Sequence, residues 1–130
     1  MNKITKVHSR QVFDSRGNPT IEAEVFSKSI SATAICPSGA STGTYEAFEK
    51  RDIGNKKYLG KSVFSAIKLV NSIISKKLKN KNLHDQEFID SLLIKLDGTK
   101  QKSNLGANAI LAVSIAVNKL SANIKKIPLY

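Results

Sequence analysis

From Thr20 to Phe26 the chain alternates strictly. Ile21, Ala23 and Val25 are apolar, while Thr20, Glu22 and Glu24 are polar. A period of two places the sets on opposite faces of a strand, one dry and one wet. The stretch before it, "KITKVHSRQVF" (3–13), is rich in β-branched residues and lacks glycine and proline, so it predicts another strand. "ISATAIC" (30–36) predicts a third. The connections "DSRGNPT" (14–20) and "SKS" are short and turn-forming. Parallel pairing would need long crossovers, so three strands on short turns predict an antiparallel meander.

The period then changes. "TYEAFEK" (44–50) predicts a short helix. Over 62–79, Val63, Ala66, Ile67, Val70, Ile73, Ile74 and Leu78 recur at helical spacing, with Ser62 as the expected N-cap. "DQEFIDSLLIKLDG" (85–98) sets Phe88, Ile89, Leu92, Leu93 and Leu96 on one face, Asp85 at its start and Gly98 at its end. "NLGANAILAVSIAVNKLSA" (104–122) is apolar nearly all round, as befits a helix buried between layers. Strands first and about four helices after predict one α+β domain over 1–130, with the helices on one face of the sheet.

Composition alters this picture little. Hydrophobic residues make up 41% and charged residues 24%, ordinary for a globular protein. No uninterrupted apolar run approaches the roughly 20 residues of a membrane helix. The start of the chain has no apolar leader segment. One cysteine, Cys36, makes no internal disulfide. Together these predict a cytoplasmic protein without membrane partners.

Charge alters it more. The net charge is +11, which suggests an acidic partner such as nucleic acid or an anionic membrane. Between Lys50 and Lys81 ten Lys or Arg face one acid, Asp52. A competing explanation is a drift toward AT-rich codons, since Lys, Asn and Ile supply 18, 10 and 14 residues. Aromatic residues for stacking on bases are few. Lys68, Lys76 and Lys77 lie mostly off the apolar stripe and read as a solvated face.

Candidate chemistry is sparse. His8 and His84 have no metal-ligand spacing. Cys36, beside Pro37, reads as a small buried hydrophobe. Glu22 and Glu24 fall on the wet face of a strand. Two stretches stand out. "DSRGNPT" places Arg16 at the tip of a turn. "PSGASTG" (37–43) has neither bulk nor charge, with Gly39 and Gly43 near its ends and three hydroxyls between Pro37 and Gly43. Such a loop is either a connector or a device that approaches a phosphate or offers neutral oxygen to a cation like Mg²⁺.

"FDSRGNPTIEAEV", "PSGASTGTYEAFEKRD", "YLGKSV", "LDGT", "KSNLGANAILAVSIA" and "IPLY" together resemble, in order and spacing, the amino-terminal domain of the enolase family. That resemblance implies a meander followed by helices. It implies a part in the Mg²⁺-dependent dehydration of 2-phosphoglycerate to phosphoenolpyruvate, with two Mg²⁺ per site. Ser38, Gly39, Ala40, Ser41, Thr42, Gly43 and Thr44 match the family's mobile lid, and Ser41 its Mg²⁺-binding serine. Arg10, Arg16 and Glu22 match residues that bridge the homodimer. The lysine base, the acidic metal ligands and the phosphate contacts belong to a barrel domain expected to lie outside these residues, so the chain alone is expected to be inactive. Three departures touch the scaffold: the "FSKSIS" turn lacks the usual glycines, Ser62 stands for glycine, and Lys50 for an aliphatic residue. Two other readings are a free-standing basic domain that binds nucleic acid or another acidic partner, and a non-functional remnant of a broken reading frame.

Overall fold

The computed structural model describes residues 2–130. Strands β1 (Lys6–Phe13), β2 (Pro19–Ser27) and β3 (Ile30–Ile35) form an antiparallel sheet in the order β1-β2-β3. The register sets Ser9 opposite Ala23 and Arg10 opposite Glu22, then Ala23 opposite Ala34 and Val25 opposite Ala32. Ile21, Ala23 and Val25 are completely buried. The opposite face carries Arg10, Glu22 and Glu24, as the alternation predicts.

Helical cover comes from three rods. The first is continuous from α1 (Phe64–Leu69) through a π-turn (Val70–Ile74) to α2 (Ser75–Leu78). The others are α3 (Gln86–Asp97) and α4 (Ala107–Lys125). α4 lies across β2 and β3, and the first rod along β1. Ala109, Ala112, Ala116 and Val117 are fully buried. Small side chains let this helix come close to the alanines of β2 and β3. α4 is long and apolar enough to cross a membrane by length and composition, although no uninterrupted apolar run suggested it. Nine of its residues are instead buried within the protein, which marks it as the core helix.

The π-turn has a local purpose. Asn71 Oδ1 accepts from the Ser9 backbone N–H at 2.7 Å, and Asn71 Nδ2 donates to the Ser9 carbonyl at 3.2 Å. The side-chain amide therefore pairs the open edge of β1 as a neighbouring strand would, which blunts that edge.

Two expectations are corrected. Residues 44–50 form no helix. Phe48 N–H donates to the Gln101 carbonyl and Ala107 N–H to the Phe48 carbonyl, each at 2.7 Å, so the segment spends its backbone groups on another loop. Among the described residues that leaves three helical rods and a 3-10 turn at Lys57–Gly60, in keeping with the expected α+β domain of about four helices. Ser62 also fails to cap its helix. Asp52 does so from a distance, accepting from Phe64 N–H at 3.0 Å and Ser65 N–H at 3.2 Å. The Ser62 hydroxyl is buried without a partner.

Candidate functional site: a small-residue loop on a braced base

The turn after β1 is set by Asp14. Its Oδ1 accepts from the backbone N–H of Arg16 at 2.9 Å and of Asn18 at 3.0 Å, an Asx-type turn. Hydrogen bonds from Asn18 and then Arg16 hold the Asp14 carboxyl below its ordinary pKa against the opposing effect of burial. The turn aims the Arg16 side chain at the 37–43 loop. Arg16 Nη2 donates to the carbonyls of Ser38 at 3.1 Å and Gly39 at 3.3 Å. The arginine at the turn's tip is thus tied to the root of the loop.

The loop is braced again from the other side. Ser38 Oγ donates to Glu49 Oε2 at 3.3 Å, and Arg51 Nη2 holds Glu49 Oε1 at 2.6 Å. Arg51 Nη1 reaches the Pro19 carbonyl at 2.7 Å, which ties this chain of contacts to the sheet. Gly43 N–H donates to Glu46 Oε2 at 3.0 Å. These bonds fall at the loop's two ends. Ala40, Ser41 and Thr42 between them are exposed. A cavity of about 200 Å³ lies beneath the loop root, with Cys36, Ser38, Glu49 and Asn108 among its walls. Burial, followed by Glu49, pushes the Cys36 thiol up to about 11, so it stays a thiol at neutral pH.

Gly39 and Gly43 both have ordinary backbone φ here. A Cβ at Gly43 would meet nothing within 4 Å, and one at Gly39 only the Ser41 carbonyl at 3.5 Å. This conformation does not itself require glycine at either position. Their freedom would matter only in a different loop position.

Beneath the loop sits a clasp that the sequence reading did not assemble. Lys50 N–H donates to Asn108 Oδ1, and Asn108 Nδ2 donates to the Lys50 carbonyl, both at 3.0 Å. Asn108 is held at the start of α4 by Gly106, whose φ is +93°. A Cβ on Gly106 would lie 2.5 Å from Lys50 Cβ and 2.6 Å from Asn108 Oδ1. Asp97, 2% exposed, organises the preceding turn. It accepts from Leu105 N–H at 2.7 Å, from Thr99 N–H at 3.0 Å, and from the Thr99 hydroxyl. Burial raises its pKa, but hydrogen bonds from Leu105, Thr99 and Asn104 outweigh it, and the carboxyl stays below its ordinary value. The signal available was "LDGT" followed by "NLGAN", an acid and an asparagine flanking glycines. Only pairing with residue 50 gives it meaning.

The other candidates stand apart. Arg10 Nη1 meets Glu22 at 2.7 Å and Nη2 meets Glu24 at 2.6 Å on the uncovered sheet face. Ser31 adds a bond to Glu24 at 2.9 Å. His84 Nδ1 lies 2.6 Å from Ser121 Oγ. Among the described residues no three His, Cys, Asp or Glu side chains group to hold a metal. The loop can contribute a neutral hydroxyl to a hard cation, such as that of Ser41. Acidic ligands would have to come from elsewhere.

The meander, its helical cover and a braced, bulk-free loop define an α+β domain whose distinctive surface feature is that loop. The chain belongs to the family described as the enolase N-terminal domain, which matches residues 4–130. Enolase from Pelagibacter ubique strain HTCC1062 is 73% identical over 130 residues, the whole chain and 31% of the relative. Enolases from Methanosarcina mazei and Methanococcus vannielii are 54% and 55% identical over 98% of this chain and 30% of their own length. The chain therefore spans about a third of the curated relatives it matches.

Proposed function

We propose that these residues serve as the amino-terminal domain of a cytoplasmic, homodimeric enolase, a lyase that dehydrates 2-phosphoglycerate to phosphoenolpyruvate. The observation that supports this best is the family match over 4–130 with the "SGASTG" loop intact. In this reading residues 38–44 close over substrate held by a barrel domain and exclude water. Ser41 brings its hydroxyl to one of two Mg²⁺ ions. When bound, the ions supply concentrated positive charge to the substrate carboxylate. The loop's exposed centre suits that part, because its braces at Arg16, Glu49 and Glu46 leave residues 40–42 able to move. Gly39 and Gly43 absorb the backbone change. Arg10, Arg16 and Glu22 lie toward the uncovered sheet face and its turn, and in this reading they meet the second subunit.

The test joins this chain to the remaining two-thirds of the Pelagibacter relative. The fusion is expected to form phosphoenolpyruvate, and the 130 residues alone to form none. Ser41→Ala in the fusion should lower turnover and raise the Mg²⁺ concentration needed for half-maximal rate, with circular dichroism unchanged. An unchanged Mg²⁺ requirement would sink the ligand role of Ser41, and an inactive, folded fusion would sink the enzymatic reading.

A further inference from the structure

Along the sequence the excess charge is densest between residues 50 and 81. The fold divides that window. Lys50, Lys56, Lys57 and Lys61 lie on the side of the loop. Lys76, Lys77, Lys79 and Lys81 sit at the other end of the molecule, where the first helical rod runs out. There the chain is stitched to the start of β1. Ile4 N–H donates to the Lys81 carbonyl at 2.9 Å, and Asn80 N–H to the Ile4 carbonyl at 2.8 Å. Lys3 and Lys6 join the group by this route. The β2–β3 turn brings Lys28, whose N–H donates to Thr5 Oγ1 at 3.2 Å.

α4 ends at the same pole. Lys119 and Asn123 share a surface hollow with Ser31, Ala32 and Thr33 of β3. Lys125 and Lys126 follow in its last turn. Ten of the 18 lysines thus gather from four separate segments. Eight are exposed, and Lys81 and Lys119 are half-buried. The four ion pairs among the described residues all use arginine, so none neutralises a lysine. The acids nearest this pole are Glu24, Asp85 and Glu87. Glu24 is already bound to Arg10 and Ser31, and Asp85 caps α3 by accepting from Phe88 N–H at 3.1 Å.

We infer that this pole binds the phosphate backbone of single-stranded nucleic acid without reading its sequence. The choice of partner follows from residue type and shape. Lysine offers a point charge to phosphate, whereas base recognition favours the arginine fork. All three arginines are engaged elsewhere, with Glu22 and Glu24, with the loop carbonyls, and with Glu49. The lysines also surround the ends of several elements. Lys76 and Lys77 flank the β1 side, and Lys119 and Lys125 the β3 side. A flexible polyanion can follow such a rounded set of charges, while a flat bilayer meets only those on one side. This binding is independent of the enzymatic reading.

The experiment measures binding of poly(U), about 30 nucleotides long, to the 130-residue chain by fluorescence anisotropy over a salt series. If seven lysines engage phosphates, the log–log salt slope should be about −5, a loss of roughly a thousandfold between 50 and 200 mM. The variant K76Q/K77Q/K79Q/K81Q should shrink the slope by about 3 and weaken binding by about tenfold or more at 50 mM. The variant K56Q/K57Q/K61Q/K100Q removes the same charge from the other end, where Lys100 precedes the Gln101 that binds Phe48, and should change affinity less than about threefold. Equal losses in the two variants would reduce the effect to net charge and overturn the site. So would absence of binding at 50 mM salt. Retention on phosphatidylserine vesicles without poly(U) binding would assign the pole to membranes and overturn the nucleic-acid partner.

Discussion

At the residue scale, Gly106 and Asp97 matter more to the loop's base than the loop's own hydroxyls. Gly106→Ala forces a Cβ into the Lys50–Asn108 clasp at a positive φ. A loss of about 2–4 kcal/mol is expected in urea unfolding, and a loss under about 0.5 kcal/mol would mean that the clasp opens freely. Asp97 makes stability depend on acid. Its folded-state pKa lies below the unfolded value, so the unfolded state takes up the proton first as pH falls. Its contribution is complete above the ordinary aspartate range and is lost as pH falls through the folded-state value. Asp97→Asn should flatten that acid limb of the stability–pH curve, and an unchanged limb would clear Asp97 of the effect. Neither residue was legible as part of a site. Both act through backbone groups about 50 positions away or through the local turn, and no periodic pattern marks such contacts. Ser41 and Arg16 were visible as unusual residues in unusual stretches, but the bond from Arg16 to the loop root needed the fold.

At the element scale, legibility followed the range of the forces. The strands were readable because a period of two reports a single buried face. α3 was readable because Asp85 and Gly98 sit at its own ends and do the capping, Asp85 through Phe88 N–H and Gly98 in the left-handed conformation. The 44–50 segment misled because its helix-forming residues are overruled by hydrogen bonds to 101 and 107. The start of α1 misled in the same way: the cap comes from Asp52, across the 3-10 turn. Asp52→Ala should therefore cost about 1–2 kcal/mol of unfolding free energy, while Ser62→Ala, which deletes an unpaired hydroxyl, should cost nothing. The reverse ranking in chemical denaturation would restore Ser62 as the cap.

At the scale of the whole molecule, the excess charge is a property of topology. Antiparallel strands and helices return repeatedly to the same two ends, so lysines far apart in sequence become neighbours, which a sliding window cannot detect. With no lysine in an ion pair among the described residues, their mutual repulsion is relieved by salt. Between 0.01 and 0.15 M the screening length falls from about 30 to about 8 Å. The melting temperature should then rise by about 2–5 °C, and a fall in calorimetry would show that repulsion is not what limits stability. The Lys50–Asn108 clasp also sets an order of events during synthesis. Its partners are 58 residues apart, and a ribosome adds about 5–20 residues each second. For about 3–12 s after the loop's second strut is made, the residue that fastens it does not yet exist. The meander can pair in that interval, but the loop's base cannot be finished until α4 has begun to emerge.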